Sequence, residues 1–271
     1  MSGADDIGRI VDGATRLYGI IGDPIVQVGS PVAFTQRFRC AGRNAILVPF
    51  HVLGPAFDQT VRGIMALENL DGLIATVPYK SRILAHVDRV QSTGKQVGAV
   101  NAVRRDPDGK WTGDMFDGRG LVRGLERHGH QVAGRRVLLI GAGGAGSAIG
   151  CALAEAGAAA ITLFDIDKDK AQALVGRVAA AFPACAVRLD RPTAADHDVI
   201  INATPVGMAE TDGMPAPLEK FDPNVVVADV IVKEKPTALL RHAQACGCPT
   251  MSGQSMLEAQ IDEMLRFFGM A

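Results

Sequence analysis

The stretch from Arg136 to Asp165 constrains this chain more than any other. Val137–Ile140 is an apolar run of strand length, and Gly141-Ala142-Gly143-Gly144-Ala145-Gly146 follows it. Ser147–Ala156 then reads as a helix of small residues closed by Gly157, and a second apolar run, Ile161–Phe164, ends at Asp165. Each glycine of this strand, turn, helix, strand and acid has a physical task. Gly141 makes the tight turn, Gly143 lets backbone approach a pyrophosphate, and Gly146 lets helix and strand pack closely. A pyrophosphate is expected on the helix N-terminus, where free N–H groups and the dipole favour an anion. In Phe164-Asp165-Ile166-Asp167, an acid stands where it can bond an adenosine ribose hydroxyl and repel a 2′-phosphate. NAD is therefore expected over NADP, with Lys168 and Lys170 as nearby cations that oppose that expectation.

A chain of 271 residues has room for two domains. Its 28 Lys and Arg balance 29 Asp and Glu, so no global field points to nucleic acid or an anionic membrane. No apolar run reaches the roughly 18 residues of a membrane span, and the start, with Asp5 and Asp6, lacks the order of a signal peptide. Cys40, Cys151, Cys185, Cys246 and Cys248 show no metal-binding spacing and read as reduced thiols, so a cytoplasmic location is expected.

Residues 1–15 read as a frayed extension. A strand in Arg16–Gly22 leads into a loop, then a helix over Val32–Ala41 with Ser30 as N-cap and Pro31 in its first turn. Ala45–Val52 reads as a strand, Gly54–Glu68 as a helix, Asp71–Val77 as a strand, Ile83–Val90 as a short helix, and Val97–Val103 and Lys110–Thr112 as strands. This alternation implies a mostly parallel sheet. Gly118–His128 is an amphipathic helix. Further strands are expected at Ala186–Leu189, Val199–Asn202, Val225–Val230 and near Pro249–Met251, with a helix over Thr237–Ala245. Gln254–Phe268 carries a helical apolar stripe and is expected to return to the first half. The fold class is α/β, with two domains: a mostly parallel substrate-binding domain over 15–117, joined by 253–271, and a Rossmann domain over 118–252.

Moving a hydride needs a group that exchanges the hydroxyl proton. The six histidines form no pattern. Lys80 follows a buried-looking strand and Pro78, a place where a lysine can be tuned, although spacing alone favours an ordinary surface lysine. Asn101 and Asp117 also close apolar segments, where caps and turn residues are common.

In order, Gly22-Asp23-Pro24-Ile25, Ser30-Pro31, Thr76-Val77-Pro78-Tyr79-Lys80, Gly98-Ala99-Val100-Asn101, Gly113-Asp114 with Asp117-Gly118, the glycine loop, Asn202-Ala203-Thr204, and Met256-Leu257 with Gln260 resemble the shikimate/quinate dehydrogenase family. The likeness runs from about Tyr18 to Phe268. It implies NAD(P)-dependent, reversible oxidation of a ring hydroxyl to a ketone, with Lys80 as acid/base and Asp117 as its partner. It implies substrate hydrogen bonds from Thr76, Asn101 and Gln260, a carboxylate contact from Ser30, and a nicotinamide pocket lined by Thr204, Val230 and Gly253. The domains of this family face each other across a cleft.

The departures from the family pattern matter as much. Gln27-Val28-Gly29-Ser30-Pro31 carries Val28 where a second carboxylate-binding serine is usual. Ile74 replaces an asparagine, Val232 a tyrosine, and Met115-Phe116 an Asn-Thr pair. The alternatives are then a family oxidoreductase for a less polar substrate, or a nucleotide-binding sensor without turnover. The expected partner is a hydroxylated cyclic acid or an analogue, with neither nucleic acid nor membrane. A homodimer is allowed, though nothing in the sequence requires it.

Overall fold

The computed structural model describes residues 11–270. The chain divides into two compact units, Met1–Met115 with Ile261–Ala271, and Phe116–Gln260. Of the segment read as a frayed extension, residues 1–10 lie outside the described residues. Its end is tied down, because Thr15 Oγ1 donates to Asn44 Oδ1 at 2.8 Å and Asn44 Nδ2 donates to Asp12 Oδ1 at 2.8 Å.

In the first unit, strands β1 (Arg16–Gly22), β2 (Ala45–His51), β3 (Leu70–Ala75), β4 (Arg89–Val90), β5 (Ala102–Arg105) and β6 (Trp111–Asp114) form a six-stranded sheet in the order β2-β1-β3-β5-β6-β4. β2, β1 and β3 run parallel, and β5 is antiparallel to both β3 and β6. Helices α1 (Ser30–Cys40), α2 (Phe57–Met65) and α3 (Ser92–Val97) complete the unit. One face packs Ile21, Phe57, Val61, Leu70, Leu73, Tyr79 and Val103 into a core, with Phe57 and Tyr79 stacked at 4.2 Å between centroids.

Local differences from the sequence reading have local causes. Ser30 is the first helical residue and not the cap; Gly29 is the N-cap and has no side chain to bond the helix end. Val97 ends a helix because Gly98, at φ +71°, turns the chain into the left-handed region. The expected helix over Ile83–Val90 is a 3-10 turn at Arg82–His86 followed by β4.

The second unit is an all-parallel sheet of β7 (Arg136–Ile140), β8 (Ala160–Phe164), β9 (Ala186–Leu189), β10 (Val199–Asn202), β11 (Val226–Asp229) and β12 (Thr250–Met251), in the order β12-β11-β10-β7-β8-β9. This is the doubly wound order, with its switch point between β7 and β10. Its helices are α4 (Asp117–Arg127), α5 (Gly144–Glu155), α6 (Lys168–Ala181), α7 (Ala238–Ala245) and the start of α8 (Gly253–Phe267). α4 lies against α5 so closely that a Cβ on Gly118 would stand 2.2 Å from the Ala148 carbonyl oxygen.

Helix α8 is divided between the two units after Gln260. Residues up to Gln260 belong with the second unit, where Gln260 Nε2 donates to Asp117 Oδ1 at 2.7 Å. The end belongs with the first unit, where Phe267 offers its carbonyl to Arg104 and Phe268 packs on Tyr18 at 5.0 Å.

Candidate active site

In the first unit, backbone bonds gather residues far apart in sequence. The Ala75 N–H donates to the Asn101 carbonyl at 3.0 Å, and the Asn101 N–H donates to the Asp114 carbonyl at 3.0 Å. The Val100 N–H donates to the Lys80 carbonyl at 2.8 Å, and the Thr76 N–H donates to the Ile21 carbonyl at 3.0 Å. Thr76, Lys80 and Asn101 thus sit together where β1 and β3 end, Asn101 buried and the other two half-buried. Tyr79 anchors the turn between them. Its ring is in the core, its hydroxyl donates to the Val52 carbonyl, and burial raises its pKa.

Ser30 is buried at the start of α1, and Val28 is half-buried in the loop before it. Ile74 is buried inside β3, opposite Ile20 and Ala102, on the strand face away from Leu73 and Ala75. Five of the six histidines hold hydrogen bonds within the fold. His51 bonds Asp23, His86 bonds Asp58, His128 bonds the Gly124 carbonyl, His197 bonds Thr162, and His242 bonds the Glu219 carbonyl.

In the second unit, the glycine loop leaves β7 at Gly141, whose φ is +105°. A Cβ on Gly146 would stand 1.9 Å from the Gly141 carbonyl oxygen, so only glycine lets α5 begin there. Gly143 and Gly144 have nothing within 4 Å on the side where a Cβ would point. α5 starts at Gly144, three residues before the sequence reading has it, and its N-cap Gly143 offers no side chain to the first N–H groups. Gly141, Ala142, Gly143, Gly144, Ala145 and Gly146 therefore form an open cradle at an uncapped helix end, which suits a dinucleotide pyrophosphate.

Asp165 is committed to that loop, because its carboxylate accepts the Ala142 N–H at 2.6 Å and the Asp167 N–H at 2.8 Å. Asp167 caps α6, and its bonds from Lys170 hold its pKa below the ordinary value.

Beyond the loop, Asn202 and Asp229 end β10 and β11 in register with each other. Asn202 Oδ1 accepts from Thr204 Oγ1 at 2.7 Å and from the Thr204 N–H at 3.0 Å. Asp229 accepts from Asn202 Nδ2 at 3.1 Å, the Ile231 N–H at 3.0 Å and Thr237 Oγ1 at 2.7 Å. Burial pushes its pKa up, against those three donors. Val230 is next in sequence, and Gly253 packs so tightly on the Val230 and Ile231 carbonyls that a Cβ would stand 2.5 Å away. Val232, by contrast, is 52% exposed. Asp117 opens α4, buried and held by Gln260. Asp229 and Thr237 are absent from the residues the sequence singles out. An acid at a strand end and a threonine before a helix look like any turn and cap.

A family profile described as the shikimate dehydrogenase substrate binding domain matches residues 20–103. The chain is 35% identical to the shikimate dehydrogenase (NADP(+)) of Pyrococcus furiosus, over 96% of this chain and 92% of that one. Among solved structures it resembles shikimate 5-dehydrogenase from Listeria monocytogenes in complex with shikimate and NAD, at 30% identity and TM-score 0.88, covering 96% of this chain and 94% of the other. It also resembles 5-ketofructose reductase of Gluconobacter at 29% identity and TM-score 0.85, covering 94% and 92%.

These relatives correct the expectation of NAD. Curated relatives share the designation NADP(+), and another structural neighbour is a complex with NADP+, which points to NADP. The carboxylate that was expected to read the ribose accepts from the backbone of the glycine loop and of the turn before α6.

Proposed function

Because the chain belongs to the shikimate/quinate dehydrogenase family, and is therefore an NAD(P)-dependent oxidoreductase acting on CH–OH groups, we propose that it interconverts a ring hydroxyl and a ketone on a shikimate-type acid, with Lys80 exchanging the proton. In the oxidative direction Lys80 Nζ takes the hydroxyl proton, and in reduction it returns one to the carbonyl oxygen. The nicotinamide, when bound, accepts or supplies the hydride. Thr76, Asn101 and Gln260 hydrogen-bond the substrate, Ser30 contacts its carboxylate, and Asp117 is the companion acid, its carboxylate oriented by Gln260. Gly141–Gly146 carry the pyrophosphate, and Thr204, Val230 and Gly253 border the nicotinamide.

The observation that supports this reading best is the linkage of Lys80 to Asn101 through Val100, beside Thr76, at one edge of the first unit's sheet. The test is steady-state turnover with NADP(H) on shikimate and quinate, for the native protein and Lys80→Ala, with NADPH binding measured by calorimetry. The variant should lose about 10²–10⁴-fold in kcat while binding NADPH as before. An unchanged kcat would remove Lys80 from the chemistry.

A second reading has its own support. Val28, Ile74 and Val232 put apolar groups where the family pattern is polar, and leaving a carboxylate without partners costs several kcal/mol. The likeness to a 5-ketofructose reductase favours an uncharged ketose or polyol under this reading. Robust NADPH oxidation with such a ketose, and little turnover of shikimate or quinate, would select it.

A further inference from the structure

We propose that Asp229 is a positioning residue for hydride transfer, one carboxylate that fixes both backbone edges bordering the reactive end of the dinucleotide. The inference rests on the placement of Thr204 and Val230 proposed above.

Two chains of hydrogen bonds leave this side chain. One runs from Asp229 Oδ1 through the Asn202 amide to Thr204, whose N–H and hydroxyl both donate to Asn202 Oδ1 at 3.0 and 2.7 Å. Asn202 Nδ2 also donates to the Val206 carbonyl at 3.0 Å, and the Val206 N–H donates to Thr204 Oγ1 at 3.2 Å, which closes the turn. The other chain is direct: Asp229 Oδ1 accepts the Ile231 N–H at 3.0 Å, while the Val230 N–H donates to the Asn202 carbonyl at 3.1 Å. Thr237 Oγ1 occupies the second carboxylate oxygen at 2.7 Å and itself caps α7.

Every polar atom of the side chain is therefore spent on orienting neighbours. Asp229 and Asn202 have no exposed surface, so the network has no solvent to replace a missing partner. Thr204 and Val230, just beyond the ends of adjacent parallel strands, move if the carboxylate changes. Shifting reacting groups by about 1 Å can cost about 10²-fold in rate without loss of binding.

The test compares Asp229→Asn, Thr237→Val and Thr237→Ser with the native protein. Its readouts are thermal melting, NADPH dissociation constant, emission of bound NADPH, and the kcat isotope effect with 4-deuterated NADPH. For Asp229→Asn, NADPH affinity should stay within about threefold, since the glycine loop supplies most of it. The emission of bound NADPH should shift, and kcat should fall about 10- to 100-fold with a larger isotope effect than the native protein shows. Thr237→Val should move in the same direction, and Thr237→Ser should restore native behaviour. Native emission and a native isotope effect in Asp229→Asn would overturn the proposal. So would parallel losses of melting temperature, affinity and kcat, the pattern of a role confined to folding. Emission needs no turnover, so it tests the positioning even if the native protein proves inactive on both acids and the functional reading falls.

Discussion

Where the strands of the second unit end, polar side chains are bonded to one another or to backbone: Asn202 and Asp229 are buried and expose nothing, and half-buried Asp165 holds the glycine loop. Where the parallel strands of the first unit end, Ser30 and Asn101 stand near strongly exposed apolar residues, with Val26 at 92%, Val77 at 63% and Leu53 at 61%. One edge is built from backbone and mutually bonded groups, and at the other buried Ser30 and Asn101 share the edge with exposed apolar side chains. An edge of the first kind yields to almost no substitution, since each change strands a buried partner. An edge of the second kind can change one residue without stranding a buried partner, and Val28, half-buried before α1, is such a position.

Four measurements would break or sharpen that contrast. The largest effect should come from Phe57→Ala, which empties a fully buried position in the first unit's core under Tyr79. It should cost about 3–5 kcal/mol in urea unfolding, with NADPH affinity of the remaining folded protein unchanged. Next, Gly146→Ala forces a methyl against the Gly141 carbonyl, at a distance where backbone must move. A loss of about 3 kcal/mol should accompany weaker NADPH binding, and a native dissociation constant would show that the loop is more pliable than its packing implies.

Val28→Ser should act on substrate alone, raising kcat/KM for shikimate about tenfold through one bond to a charged group, with NADPH affinity unmoved. A flat result would place the carboxylate elsewhere. The smallest effect is in the pH dependence. Hydrogen bonds from His86 and then Arg82 hold the Asp58 carboxyl below its ordinary 3.8, so its contribution is complete above that value and is lost as pH falls through the folded pKa. Asp229 has the opposite sign. Burial raises its pKa, so its contribution is complete below 3.8 and is lost as pH rises through the folded pKa. In unfolding titrations from pH 3 to 7, Asp58→Asn should flatten the acid-side decline, whereas Asp229→Asn should remove a loss on the side above pH 3.8. The same slope change in both variants would contradict the contrast.

Much of this was legible along the chain. The glycine spacing announces a turn, an uncapped helix and a parallel sheet because each depends on the backbone freedom of neighbouring residues. Lys80 and Asn101 stand out as polar residues closing apolar runs, but their adjacency does not, since it is made by the Val100 bond across 20 residues of chain. The C-terminal stripe announces a helix and hides that Gln260 faces Asp117 while Phe268 faces Tyr18.

The sequence by itself determined the α/β class, the dinucleotide loop and the family, because periodicity, glycine placement and ordered motifs are local properties. Tertiary structure alone decided what two acids of the second unit do. Asp165 looked free to read a ribose and is held by Ala142, and Asp229 looked like a turn residue and joins two strand ends to a helix cap. The reason is physical: a carboxylate is held by the donors the fold brings to it, and those donors come from residues up to 27 positions away.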